Sequence, residues 1–236
     1  MKAENRAKGG ETIVKVFNWV RMANSDYLAA RSLLIGNMLV QGAMLSNTAI
    51  EKYLKGICAQ FRAKIPRNHL VLDLYRSVKG LAQMDLALNE GYLRLLQTIY
   101  GMRYPDDLKE GFSVALNQMK LLAQLDRSVS DIKKVFVLSP EDNEKVLQNV
   151  AIAKDARYQE KNVVANPEQS GTFFSKPSQT FELRIFEKIF LEADFLSPYV
   201  NDNGNFDIEA VQVAPDRTLR LGHPCGGKIK PIKHLL

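Results

Sequence analysis

The sequence predicts a mainly α-helical protein: an antiparallel up-down bundle of four to five helices over residues 11–136, then an α+β extension over residues 137–236. Three observations carry this expectation. Apolar residues in the first part recur at steps of three, four and seven, the spacing that lines one face of a helix. Glycines and prolines punctuate these stripes at short intervals, and short turns join antiparallel neighbours. After Phe136 the apolar stripe thins and Asn, Pro, Gly and Ser become frequent.

The first helix is expected from Ile13, Val16, Phe17, Val20, Tyr27, Leu28, Leu34 and Ile35, closed by Gly36-Asn37. A second follows through Ala43, Ile50, Tyr53, Leu54, Ile57 and Phe61, where Glu51 and Lys55 form an i,i+4 pair expected on a solvated face. Pro66 breaks that run. Asn68 is a suitable N-cap for a third helix carrying Leu70, Leu72, Leu74, Tyr75 and Val78, ended by Gly80. Tyr92, Leu95, Leu96 and Ile99 define a fourth, stopping near Arg103-Tyr104-Pro105 because a proline disfavours helical geometry in the preceding residue. A fifth long helix is expected to carry Phe112, Ala115, Met119, Leu122, Val129, Ile132 and Phe136.

Beyond the bundle, Ser139-Pro140-Glu141 has the composition of a helix start and leads into a polar helix through about Tyr158. Residues 162–178 read as a linker or surface loop. Phe181, Ile185, Phe186, Ile189 and Phe190 suggest a helix, with a strand as the alternative. A hairpin is expected over residues 206–221 around Pro215-Asp216.

The 236 residues are 46% hydrophobic and 25% charged, the balance of a folded chain rather than a disordered one. Two cysteines, Cys58 and Cys225, exclude a disulfide framework, and neither sits in a CxxC pair. No signal-peptide core or membrane-spanning run is evident, so a soluble, cytoplasmic protein is expected. The net charge of +6 favours polyanionic partners. Residues 1–135 hold 20 Lys and Arg against 12 Asp and Glu, so the basic excess lies in the bundle.

Three stretches carry a family resemblance: Ala49-Ile50-Glu51-Lys52-Tyr53-Leu54-Lys55-Gly56-Ile57, Pro66-Arg67-Asn68-His69-Leu70 and Arg103-Tyr104-Pro105-Asp106. In this order the chain resembles the HEPN domain over about residues 11–136. The resemblance implies a helical bundle that commonly dimerises and binds nucleotides or nucleic acid. Some members are metal-independent ribonucleases in toxin–antitoxin or defence systems, often with a nucleotidyltransferase-type partner. The ribonuclease branch carries an Arg-x(4–6)-His signature at its last helices. Here the residues from Tyr104 to Lys109 follow Arg103 with no histidine, whereas Arg62 and His69 meet the spacing across the turn between helices two and three.

His69 can act as base or acid near neutrality, or serve as a capping histidine. Arg103 can clamp phosphate with its planar fork, or pair with Asp106 or Asp107. Lys52, Lys55, Arg62, Lys64 and Arg67, interleaved with Tyr53 and Phe61, form a basic edge that can neutralise phosphates or merely be solvated. Asp26 can orient a cation across the bundle. The candidate binding set is therefore Lys52, Lys55, Arg62, Arg67, His69, Arg103, Tyr104 and Asp106, with His69 and Arg103 the catalytic candidates.

Gly222 to Lys228 fits GxxxxGK, but Ile229 stands where a P-loop needs Ser or Thr and Pro231 follows. Cys225, His223 and His234 fall short of a structural zinc set. No metal or cofactor is expected. The leading expectation is a nucleotide- or RNA-binding homodimer. The alternatives are a metal-independent endoribonuclease, with His69 and Arg103 meeting across a dimer cleft, and a helical interaction module without ligand.

Overall fold

The computed structural model describes residues 2–67, 69–81, 86–104, 108, 110–139, 141–142, 154–169, 177–186, 189–197 and 229–231. The chain is mainly helical, with a small antiparallel sheet. Helices α1 (Lys2–Ile35), α2 (Leu39–Gln60), α3 (Val71–Leu81) and α4 (Glu90–Gly101) are followed by strand β1 (Ser113–Asn117) and helix α5 (Gln118–Lys134). A single helical turn, α6 (Ala156–Gln159), precedes strands β2 (Ser178–Phe186), β3 (Ile189–Ser197) and the short β4 (Ile229–Pro231). No helix among the described residues is long and apolar enough to cross a membrane.

α1 and α2 are the most intimately packed pair. Gly42 lies against Leu34, where a Cβ would come within 2.6 Å of the Leu34 side chain, and Gly56 lies beside Trp19. The two helices therefore run antiparallel, and glycine at position 42 permits their close approach. Asn37 turns the chain between them with a left-handed φ of 63°, and the Met38 N–H donates to the Leu33 carbonyl. Carbonyls left over at the end of α1 are taken up by α5: the Gln118 side-chain amide donates to the oxygens of Leu34 and Ile35. Buried stripes from α1 to α5 meet in one core that includes Val20, Ile57, Val78, Leu96 and Leu122.

The expected fifth helix is shorter than its spacing suggested. Residues 113–117 form β1, and Asn117 caps α5 by accepting from the Lys120 N–H at 3.1 Å. Phe112, Ala115 and Met119 match a helical step, but burial through Ser113, Val114 and Leu116 follows the strand, and Asn117 restarts the chain as a helix. For the run from Phe181 the alternative reading, a strand, holds in place of the helix. Glu182 and Arg184 alternate with buried Leu183 and Ile185, a period of two. β2 therefore lies between β1 and β3, with Val114 opposite Leu183 and Leu116 opposite Phe181.

The third helix begins at Val71, leaving Leu70 outside it and 41% exposed, and Gly80 lies within it. Ser139 accepts from the Asp142 N–H at 3.1 Å, as a helix start does. A continuous helix to Tyr158 is not formed, since Lys154 and Asp155 are non-helical and Asp155 caps the separate α6 through the Arg157 N–H. The expected 206–221 hairpin, the 222–228 glycine-rich segment, Cys225, His223, His234 and Asn68 lie outside the described residues.

Residues 154–166 are bound to the bundle by a buried charge. Arg31, on α1, is fully buried and pairs with Asp126 of α5, itself 2% exposed. Tyr27 donates to the same carboxylate at 2.8 Å. The remaining Arg31 donors reach the carbonyls of Arg157, at 2.6 Å, and Glu160. Burial pushes the Asp126 carboxyl up, and Arg31 and Tyr27 pull it back down. Asn162 completes the arrangement, donating to the Tyr158 carbonyl and accepting from the N–H groups of Val164 and Ala165.

Removing one member of such a pair leaves the other charge buried alone. Arg31→Met is expected to cost about 3–5 kcal/mol in chemical denaturation, and adding Asp126→Leu is expected to recover part of that loss. Asn47 of α2 presents the opposite case: it is fully buried, and its side-chain amide has no partner for either nitrogen or oxygen. Asn47→Leu is expected to raise stability by about 1 kcal/mol, because each unpaired buried polar atom carries a desolvation cost; a lower denaturation midpoint would refute this.

Candidate functional site

Residues four apart on a helix share a face, and on α2 this places Asn47, Glu51 and Lys55 in one stripe. The solvated face expected for Glu51 and Lys55 is not found. Both are buried, at 4% and 6% exposure. Lys55 Nζ lies 2.6 Å from Glu51 Oε1 and 5.6 Å from the centre of the Trp19 ring on α1. A buried carboxylate requires such neutralisation together with further hydrogen bonds.

The further hydrogen bond comes from His69. The turn after α2 brings it back over the helix, so that Nδ1 lies 3.0 Å from Glu51 Oε2 and 3.2 Å from Oε1. The imidazole remains 56% exposed. A carboxylate only accepts, so the proton of the neutral ring belongs on Nδ1 and the lone pair on Nε2.

The end of α4 supplies the other side of the site. Tyr100 packs against His69 with ring centres 5.5 Å apart and planes tilted by 42°. The guanidinium carbon of Arg103 lies 3.5 Å from the centre of the same Tyr100 ring and 5.3 Å from that of Tyr104. Arg103 Nε donates to the Tyr100 carbonyl at 3.1 Å. Stacking and this bond hold the fork of an otherwise exposed arginine, and no carboxylate among the described residues neutralises it. Burial pushes the Tyr100 hydroxyl up, and Arg103 pulls it down. His69 and Arg103, 34 positions apart in the sequence, thus rest on one aromatic ring.

The expected basic edge divides in two. Lys52 is held by Asp26 of α1 at 2.6 Å, and Lys55 by Glu51, so neither is a free cation. Arg62, Lys64 and Arg67 are exposed along the turn that leads to His69, with Arg62 at a left-handed φ of 53°. Tyr53 is fully buried and bonded to Asn24, so it offers no surface for stacking, whereas Phe61, at the end of α2, is 38% exposed. Tyr104 is exposed beside Arg103, and Asp106 lies outside the described residues. Among the described residues no group of three or more His, Cys, Asp or Glu side chains is arranged to hold a metal ion.

A family model of the HEPN domain matches residues 16–151, more than half of the chain. The chain belongs to the HEPN domain family. No curated protein and no solved structure matches it. HEPN membership gives the chain a nucleotide- or RNA-related function at the level of the family, and the matched span contains Glu51, His69, Tyr100 and Arg103. It runs past Phe136, the limit of the sequence resemblance, yet stops before β2, β3 and β4.

Glu51, Trp19 and Tyr100 were not among the candidates read from sequence. The first entered as half of an i,i+4 pair and as part of the first family stretch; the other two were not singled out. Lys133 was also missed. In the last turn of α5 of this HEPN domain its ammonium lies over the Tyr53 ring, 5.7 Å from its centre, while neighbouring Lys134 pairs with Asp131. Burial pushes Lys133 down to about 8. Its value in the unfolded chain is 10.5, so between these limits the unfolded state binds more protons and the Lys133 contribution to stability rises with pH. Lys133→Met is accordingly expected to stabilise the protein at pH 7, with the gain shrinking as pH rises from 8 towards 10.5. Paired denaturation curves across that range provide the measurement; a pH-independent difference would contradict it.

Proposed function

We propose that this HEPN domain binds a nucleotide or single-stranded RNA through phosphate contacts at the His69–Arg103 surface. The observation that supports this reading best is the Tyr100 ring, against which an exposed imidazole and an exposed guanidinium both pack. A guanidinium held flat by stacking presents its outer N–H groups as a fork matched to phosphate oxygens. Arg62, Lys64 and Arg67 extend positive charge along the approach to His69, and exposed Tyr104 offers a face on which a base can stack. Family membership supports a homodimer and a toxin–antitoxin or defence setting with a nucleotidyltransferase-type partner.

A second reading is favoured by the His69–Glu51 contact. With Nδ1–H tied to a carboxylate, Nε2 is a base able to take the proton of a ribose 2′-hydroxyl. The resulting 2′-oxygen attacks the adjacent phosphorus, and the 5′-oxygen leaves, forming a cyclic phosphate without metal. Arg103 would stabilise the charge developing on the phosphorane oxygens.

Fluorescence anisotropy with a labelled single-stranded RNA tests the binding. Arg103→Ala and His69→Ala are each expected to weaken it by roughly tenfold. Affinity should fall as salt rises, and Arg103→Ala should reduce the slope of log affinity against log salt by about 0.7, the loss of one phosphate contact to a single strand. Absence of binding at low salt would overturn the reading. Incubation with RNA in EDTA tests the second one, and intact RNA would remove it.

A further inference from the structure

We propose that Glu51 is a positioning residue for His69, the link to it in a chain of contacts Trp19–Lys55–Glu51–His69 that fixes which imidazole nitrogen faces the ligand. This inference rests on the phosphate-binding reading of the site and adds to it the control of His69.

A carboxylate at 4% exposure on a helix facing the core is costly, and a structural ion pair with Lys55 alone accounts for only part of its bonding. Lys55 occupies Oε1, while His69 Nδ1 lies within hydrogen-bond distance of both oxygens and closer to Oε2. Lys55 is in turn packed over the Trp19 ring, so its ammonium cannot swing away without losing that contact. The carboxylate is thereby held from one side and presented to His69 from the other.

The chemical consequence is asymmetric. Nδ1–H donates to Glu51 whether the ring is neutral or charged, so only Nε2 changes its proton. In the neutral ring Nε2 accepts; in the charged ring it donates to a phosphate oxygen. Because Lys55 already balances Glu51, a protonated His69 adds a full positive charge at the rim, beside Arg103. Tyr100 limits rotation of the ring from its other contact. An unrestrained histidine in water favours the proton on Nε2, which would leave the wrong nitrogen towards the ligand for accepting a proton.

Nitrogen-15 NMR of the imidazole reads the tautomer directly, without any ligand. In the wild-type protein above the titration of the ring, His69 is expected mainly as the Nδ1–H form. In Glu51→Gln, whose amide can meet either nitrogen, the population is expected to shift towards Nε2–H. Glu51→Gln combined with Lys55→Met removes the buried ammonium left behind and should show the same shift; if that pair does not fold, the single substitution decides. A merely structural carboxylate would leave the tautomer unchanged, and an unchanged tautomer overturns the proposal. RNA anisotropy supplies the second readout. Glu51→Gln should weaken binding several-fold when His69 is present and have no effect in a His69→Ala background, since the carboxylate acts through the ring. Equal weakening in both backgrounds also overturns it. If wild-type protein binds no RNA, the phosphate reading fails and the tautomer alone decides the role of Glu51.

Discussion

Arg31 sets the terms for the whole assembly of helices. Its guanidinium is fully buried, and a charge removed from water in this way is tolerable only if its donors are met. The Asp126 carboxylate meets one part, and the carbonyls of Arg157 and Glu160 meet the rest. Three segments distant in the sequence must therefore converge on one side chain: α1, α5 and the turn around α6. Tyr27, Tyr158 and Asn162 gather around that point because a buried phenol and a buried amide need the same partners. Residues 154–166 are thus attached to the helices by polar bonds inside the protein.

The candidate site follows a related logic with less burial. α2 carries acid and base on a single stripe, α1 supplies the tryptophan under the base, and the turn before α3 places an imidazole on the acid. The α2–α3 turn and the end of α4 then meet through Tyr100. What reaches solvent is one ring edge of His69, the fork of Arg103 and the face of Tyr104; the charges that hold them stay inside.

Helices α1, α2 and α4 were legible because an amphipathic helix repeats its apolar residues whatever it packs against, and most of their stripes lie in the core, although Ile13, Phe17 and Phe61 are exposed. β1 was not, because five residues between two helices show too little period, and Phe112, Ala115 and Met119 mimic a helical step by coincidence. Alternation in β2 was visible in Leu183 and Ile185, but Phe186 beside it supplied the competing helical spacing. For the site, the motifs around His69 and Arg103 stood out in the sequence, whereas their meeting on Tyr100 depends on where two turns land. Glu51 and Arg31 were the least legible. Nothing local distinguishes a solvated Glu–Lys pair from a buried one, or a surface arginine from one enclosed by distant carbonyls.

The sheet crosses the limit of the family match. β1 lies inside the matched span, but its hydrogen-bonding neighbour β2 begins at Ser178, well after residue 151. On the ribosome, β1 emerges long before the strand that will pair with it, and Val114 and Leu116 await their cover until most of the chain has been made. The pairing, like the Arg31 contacts, joins residues far apart in the sequence and adds to the contact order of the fold. Cutting the gene at the family boundary would strip β1, the outermost strand of the described sheet, of its neighbour β2 and leave an unpaired apolar strand, a template for self-association. The unit recognised by kinship is therefore smaller than the unit that can bury its own strands.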